Sequence, residues 1–406
     1  MPGQVTYTCP KDNGNLDIIL DYDAIGKKYQ PEDILSRKEA SLWRYLPLLP
    51  VPEPEGNSTP LHAAGGTPVF NLSRLGEKIG LKQLWLKDES RNPTASFKDR
   101  ASAVVVARAR EIQAEIIVTA STGNAGAALA GMSAAVGQKS IIFAPKTAPA
   151  AKVAQLLIFG AKVILVDGTY DEAFDLTIKA ANEFKWYCRN TGYNPFTAEG
   201  KKTAAFEIWD WWQGAHQEWH KQFGEGIDHA PLTVFVSVGD GNIISGIHKG
   251  FKDLLELGWL PRMPRIIGVQ AEGSAAIANA FLANTEKIVP VSAKTLADSI
   301  LVDLPRDGVR AVRAARETGG TYIKVGDDEI LQAISELGRL GIFAEPAGAT
   351  AYAGLARAAE QGVVGSDEPV LILNTGSGLK DIRAAMQAVT EAPIIEPTLE
   401  AVKKIL

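Results

Sequence analysis

The chain has 406 residues with 47 acidic against 42 basic side chains, a net charge of −5 and no basic stripe, which excludes the usual electrostatic footprint of a nucleic-acid partner. At 46% hydrophobic and 22% charged it reads as a globular protein too long for one small core, and two or three domains or subdomains are expected. Two cysteines, Cys9 and Cys188, cannot make a disulfide framework and fit a reducing cytoplasm; the polar N-terminus lacks a signal core, and no apolar run approaches the ~18 residues that cross a bilayer.

Residues 1–60 differ from the rest of the chain. "YTCPKDNGNLDIILDYD" predicts a small hairpin turning at Asn13-Gly14, and the proline-rich "SLWRYLPLLPVPEPEGNSTP" is expected to wrap over another surface. A Cys-x-x-Cys metal knuckle at Cys9 fails because Asp12 holds the matching position and no second pair is present, so no metal is expected. From about residue 82 the pattern turns regular. "EIIVTAS", "SIIFAP", "KVILVD", "LTVFVSVG", "RIIGVQAE" and "PVLILNTG" are short runs rich in β-branched residues, and alanine-rich helical stretches are predicted at 100–112, 124–136, 150–159, 171–184, 242–257 and 346–360. Apolar strands alternating with helices imply an α/β protein whose mostly parallel sheets are covered on both faces. Ligands in such sheets bind beyond the carboxyl ends of the strands, so polar, glycine-rich turns there are the places to look.

Three such turns stand out. "TASTGNAGAALAG" (119–131) offers the hydroxyls of Ser121 and Thr122, the amide of Asn124 and free N–H groups at a helix start, either an anion site or simply a capped helix. "VSVGDGNIISGIHKGF" (236–251) can bring the backbone at Gly239, Gly241 and Asn242 against a phosphate, though it is neither a Walker loop nor a G-x-G-x-x-G turn. "LILNTGSGLKD" (371–381) places the hydroxyls of Thr375 and Ser377 at a strand end. The five histidines show no metal-ligand spacing, and His216 and His220, four apart in a Trp-rich segment, read as structural. With no nucleophile–histidine–carboxylate order in view, the chemistry calls for a borrowed electrophile, and Lys98 in "ASFKDR" is its natural handle rather than one more surface lysine.

The segments "SLWRYLPLLP", "GGTPV", "LWLKDESRNPTASFKDR", "ASTGNAG", "EGKKTAAFEI" and "TGSGLKD", in this order across roughly residues 41–385, carry a resemblance. The chain resembles the pyridoxal-phosphate enzymes of the tryptophan-synthase β-like group (fold type II), and among them the threonine synthases. That resemblance implies that Lys98 holds pyridoxal 5'-phosphate as a Schiff base. It implies that Asn124 bonds the cofactor's phenolic oxygen, that Gly239, Asp240, Gly241, Asn242 and Ile243 cup its phosphate, and that Thr375 meets its ring nitrogen. Ser121 and Thr122 would hold the substrate carboxylate, with Asn190, Thr191, Asn194 and Lys201 near the rest of the substrate. Two departures bear on the substrate: Thr197 stands where the family usually has a phosphate-gripping arginine, and Ser377 where it has a histidine. If a helix begins near residue 199, Lys201 falls in its first turn, where it could receive the leaving phosphate.

The implied activity is conversion of O-phospho-L-homoserine and water to L-threonine and phosphate, a lyase reaction in amino-acid biosynthesis. A cysteate synthase-like enzyme acting on O-phosphoserine and a threonine or serine dehydratase stay open as alternatives, although "GDGN" and Thr375 speak against a dehydratase. The resemblance also implies a cytoplasmic homodimer with a small-molecule amino-acid substrate and no nucleic-acid or membrane partner. The expected layout is an N-terminal hairpin and wrapping segment at 1–60, a large cofactor-binding domain of 61–102 and 195–390, a small mobile domain of 103–194 and a tail at 391–406.

Overall fold

The β-branched runs do form strands, and two sheets result. The computed structural model describes residues 5–54, 58–121, 123–148, 150–223 and 231–406, of which residues 151 and 216–223 are described by backbone alone. In chain order the strands are β1 (Val69–Asn71), β2 (Leu84–Asp88), β3 (Ile116–Ala120), β4 (Lys139–Pro145), β5 (Lys162–Val166), β6 (Tyr187–Cys188), β7 (Thr233–Ser237), β8 (Arg265–Ala271), β9 (Tyr322–Val325) and β10 (Val370–Asn374). Strands β3 to β6 make a four-stranded parallel sheet ordered β5-β4-β3-β6. The others make a six-stranded sheet ordered β1-β2-β10-β7-β8-β9, in which β1 alone runs antiparallel to its neighbour. Every residue of β7 and β10 is buried, as continuous apolar runs demand when helices cover both faces.

One face of the large sheet packs a core around Phe206, Trp209, Phe251 and Leu254, under the helices Phe196–Phe223 and Asn242–Glu256. The other packs Tyr352, Leu355, Ile334 and Leu337 from the helices Pro346–Glu360 and Asp327–Gly338. Pro346 at the first helical position loses no hydrogen bond there and fixes the start. The predicted helical stretches are present within two residues at either end. Strands β2 and β9 escape a hydrophobicity reading because they carry Lys87, Asp88 and Lys324. No helix among the described residues is long and apolar enough to cross a membrane.

The expected N-terminal hairpin is reduced to a turn. Asn13 takes a left-handed φ of 58°, Cys9 N–H bonds Gly14 O at 2.8 Å, and a single bridge joins Thr8 to Asn15. Pairing stops there because Asn15 is drawn away, its Nδ2 donating to Arg306 O at 2.8 Å and Asp307 Oδ1 at 3.0 Å. Tyr7, on the other arm, accepts from Cys188 N–H at 2.8 Å and stacks on Tyr193. The next segment does wrap as expected, burying Leu42, Trp43, Tyr45 and Leu48, with the Trp43 indole N–H on Leu61 O.

Candidate active site

Lys98 is the first residue of the helix Lys98–Glu111, and the turn before it is fastened to the end of β10. Phe97 N–H donates to Thr375 O at 2.9 Å, Ser377 N–H to Ala95 O at 3.1 Å, and Ser96 bridges Gly376. Behind the turn, Asp99 accepts from Thr94 N–H at 2.6 Å and Thr94 Oγ1 at 2.5 Å, its carboxyl pushed up to about 6 by burial. Arg100, fully buried, reaches Glu89 at 2.7 Å and Glu207 at 2.6 Å, and Lys87 meets Glu207 at 2.7 Å. The helix geometry thus sends Asp99 onto Thr94 and Arg100 into its ion pairs with Glu89 and Glu207, and turns Lys98 the other way, into a cavity.

That cavity, about 350 Å³, lies beyond the carboxyl ends of strands from both sheets. The small sheet supplies Ser121, Gly123 and Asn124 after β3; the large sheet supplies Ser237 and the Gly239–Ile243 turn after β7, and Thr375 after β10. Lys98, Thr191, Lys201 and Glu345 add to the wall, and the 169–171 and 298–304 segments and Arg306 line much of the rest of it. Gly241 sits at φ +90° as the cap of the helix Asn242–Glu256, and a Cβ on Gly239 would lie 2.7 Å from Ile300 Cα. Only glycines let the backbone turn this tightly against its neighbours, leaving the first N–H groups of the helix without intrahelical acceptors.

Charge in the cavity is balanced by burial. Desolvation lowers the Lys98 amine, with Glu345 and Asp240 pulling it back and Arg189 reinforcing the drop. Lys201, fully buried, is held well below the usual lysine range by desolvation and by the positive charges of Lys98 and Arg189; its Nζ donates to Asn242 Oδ1 at 2.5 Å. Burial raises Asp240, whose Oδ1 accepts from Arg306 N–H at 2.6 Å. Burial likewise raises Glu345, while the Asn124 amide donates to both its oxygens, at 2.8 and 3.0 Å.

Most of the residues singled out in the sequence meet in this cavity: Lys98, Ser121, Asn124, Thr191, Lys201, Gly239, Asp240, Gly241, Asn242, Ile243 and Thr375. The side chain of Asn242 is spent on Lys201, Thr197 and Asp307, so only its backbone serves the cavity. Asn190 and Asn194 are not brought to it. Asn190 Oδ1 accepts from Ala120 N–H at 2.8 Å and Thr119 Oγ1 at 3.2 Å, tying the ends of β3 and β6 together. Asn194 Nδ2 donates to Cys188 O at 2.7 Å and its Oδ1 accepts from Phe196 N–H at 2.9 Å. Its oxygen thus helps begin the helix at Phe196, three residues earlier than 199. Lys201 therefore lies in the second turn, not the first, and meets the cavity by its side chain alone. Thr122 lies outside the described residues. Thr197 bonds Asn194 O and Asn242 Oδ1, and Ser377 caps Leu379 N–H at 3.3 Å. Among the cavity residues that were missed are Glu345, which reads as an ordinary residue before a helix-starting proline, Ser237, hidden at the end of an apolar strand, and the polar residues Tyr170, Asp171 and Arg306, which carry no local signal.

These residues fit pyridoxal phosphate. Ser237 Oγ is buried without a hydrogen-bond partner, the glycine-walled helix start is shaped for a phosphate, and Lys98 is an amine that burial keeps reactive. The comparisons with known proteins agree. The model of the family described as "Pyridoxal-phosphate dependent enzyme" matches residues 61–376. The threonine synthase of Methanocaldococcus jannaschii is 39% identical over 99% of this chain and 96% of its own length. That of Methanosarcina acetivorans is 37% identical over 99% and 95%, and that of Halalkalibacterium halodurans 34% over 90% and 96%. Among solved structures, the processed form of threonine deaminase isoform 2 from Solanum lycopersicum superposes with a TM-score of 0.65 at 20% identity over 96% of this chain and 98% of that one, a likeness of fold. Diaminopropionate ammonia lyase from Escherichia coli gives 0.66 at 21% identity over 89% and 94%. Matched over this much of its length, the chain belongs to the pyridoxal-phosphate dependent enzyme family and, within it, to the threonine synthases.

Proposed function

We propose that the chain converts O-phospho-L-homoserine and water to L-threonine and inorganic phosphate. The observation that carries the reading is the pair of amines on one cavity wall, half-buried Lys98 and fully buried Lys201: one for covalent chemistry, the other for an anion. Pyridoxal phosphate, when bound, supplies the conjugated ring that takes up the electron pair left when the proton beside the substrate's amino group departs. Lys98 Nζ carries the cofactor and, once released, takes and returns protons at the substrate's Cα and Cβ. Its lowered basicity keeps a useful share of the amine neutral for that work.

The backbone of Gly239, Asp240, Gly241, Asn242 and Ile243 receives the cofactor phosphate, and the Thr375 hydroxyl the ring nitrogen. A neutral hydroxyl there draws fewer electrons from the ring than a protonated nitrogen paired with a carboxylate would. In this reading Asn124 would give up its hydrogen bond to Glu345 and meet the ring's phenolic oxygen instead. Ser121 takes the substrate carboxylate near the start of the helix Asn124–Ala134, a role the resemblance also gives to Thr122. Thr191 and Lys201 face the phosphate end of the substrate.

Residues 103–194, which hold the small sheet, act in this reading as a mobile domain closing on the larger one built from 61–102 and 195–390; that boundary falls inside the helix Lys98–Glu111. The assembly is a homodimer working in the cytoplasm, and the free thiols of Cys9 and Cys188 suit that compartment. The test is to follow phosphate and amino acid together on O-phosphohomoserine, O-phosphoserine, homoserine and threonine. Threonine formed in step with phosphate from the first substrate is expected. Preference for O-phosphoserine, or consumption of threonine, would replace the reading by a β-replacement or dehydratase activity.

A further inference from the structure

Arg189 comes directly after β6, and its side chain is fully buried. Its Nη1 donates to Thr191 Oγ1 at 2.6 Å and its Nε to Ser102 Oγ at 3.3 Å. Its Nη2 is buried and has no hydrogen-bond partner, and no carboxylate among the described residues lies within ion-pair distance of the guanidinium. Contrast Arg100, equally buried, which is clamped by Glu89 and Glu207. A buried guanidinium whose hydrogen-bond partners are two hydroxyls, with Asp99 and Tyr170 acting on it only from beyond ion-pair distance, is costly unless an anion from elsewhere completes it.

The surroundings say where that anion comes from. Thr191, the residue Arg189 holds, lines the cavity. The positive charge of Arg189 also reaches both cavity amines, lowering Lys98 and Lys201. The glycine-walled turn at 239–243 already provides for one phosphate, and Lys201 sits beside it on Asn242. Thr197 is engaged with Asn194 and Asn242 and brings no charge. A second dianion, facing Lys201 on one side, therefore meets at the Thr191 side of the cavity a further buried cation that has no carboxylate partner among the described residues.

We propose that Arg189 is a further specificity-determining residue for the phosphate ester of the substrate, reached through Thr191 and serving with Lys201 as that ester's counter-charge both in the bound substrate and in the released phosphate. The proposal rests on the threonine synthase reading above.

Its test uses the cofactor-loaded full chain and inorganic phosphate as probe, in a calorimetric titration that needs no turnover. Arg189→Gln is expected to weaken phosphate binding about tenfold or more, and Arg189→Lys to recover part of the loss, because charge without the planar fork meets a phosphate less well. Titration with pyridoxal phosphate and binding of unphosphorylated L-homoserine should stay within about twofold of the parent, which separates the substrate phosphate from the cofactor phosphate and the α-carboxylate. Loss of cofactor affinity with phosphate binding intact would overturn the proposal, as would a selective loss of homoserine binding or unchanged phosphate affinity in folded Arg189→Gln. Should that variant fail to fold, Thr191→Val keeps the guanidinium but removes the hydroxyl joining it to the cavity: a comparable loss supports the proposal, and unchanged affinity overturns it. If the parent protein releases no phosphate from O-phosphohomoserine, the functional reading fails separately, whatever the titrations give.

Discussion

At the residue scale, Lys98 and Lys201 share a wall yet should fail differently. Lys98→Ala removes the amine that carries the cofactor, so the yellow absorbance near ~410–420 nm and essentially all turnover should vanish together. A variant that stays yellow and active would dismiss Lys98 from the chemistry. Lys201→Ala should leave the colour and raise the KM for the phosphorylated substrate about tenfold, ~1.4 kcal/mol. Because Lys201 Nζ also bonds Asn242 in the phosphate turn, a cofactor titration belongs beside the kinetics; a fall in cofactor affinity with KM unchanged would move Lys201 from the substrate to the cofactor. The residues that were legible in the sequence, Lys98, Asn124, the 239–243 turn and Thr375, share one trait. Each stands next to glycine or small polar residues at the end of an apolar strand or the start of a helix, where chemistry leaves a compositional mark. Glu345, Ser237 and Arg189 leave none, since their importance comes from neighbours far away in the chain. Asn194 shows the converse. Its type suits a ligand and its position suits a cap, and only the contact with Phe196 N–H decides between them.

At the element scale, the start of the helix Lys98–Glu111 depends on the buried charges behind it. Burial alone would raise the Glu207 carboxyl, but Arg100 and Lys87 override it and hold Glu207 well below the usual carboxylate range. Asp253, held down by Lys202 and Lys249 against its own burial, repeats the arrangement between the helices Phe196–Phe223 and Asn242–Glu256. A carboxyl whose folded value is depressed binds fewer protons folded than unfolded. Its stabilisation is therefore complete above the unfolded value near 4.5 for Glu207 and is lost as pH falls through the folded one. The melting temperature should accordingly drop on the acid side of that value. Glu207→Gln should lower stability at neutral pH by roughly 3–5 kcal/mol, by leaving Arg100 and Lys87 short of a counter-charge, and should flatten the acid limb. A melting curve against pH that superposes on the parent's would refute the assignment. The helices themselves were readable from alanine-rich periodicity. The start at Phe196 was not, because "NPFTAEG" has helix-starting residues in two registers and the Asn194 cap selects the earlier one.

At the scale of the whole molecule, contacts span the gap between the two sheets. Arg306 Nη2 meets Asp171 at 2.8 Å with its guanidinium 4.7 Å over the Phe174 ring, Lys152 pairs with Asp298, and Asn124 holds Glu345. Arg306 and Asp171 are both partly exposed, so Arg306→Ala should cost at most ~1 kcal/mol of stability. If the sheets move relative to one another in turnover, the same change should raise KM severalfold by loosening the closed form; equal losses in stability and KM, or neither, would count against such a motion. The sheet order has a consequence for how the protein is made. The small sheet is built from one continuous stretch, β3 to β6, but β10 lies between β2 and β7 in the large one, so Asn374 reaches Asp88 across 286 residues of chain. During synthesis the small sheet can pair its strands while β2 and Lys98 are still waiting for the strand that shelters them. Long-range pairing of this kind is slow and leaves apolar edges open meanwhile. A nascent chain halted before β10 would carry a foldable middle and no place to bind the cofactor, which makes arrival of the last strand the event that turns the polypeptide into an enzyme.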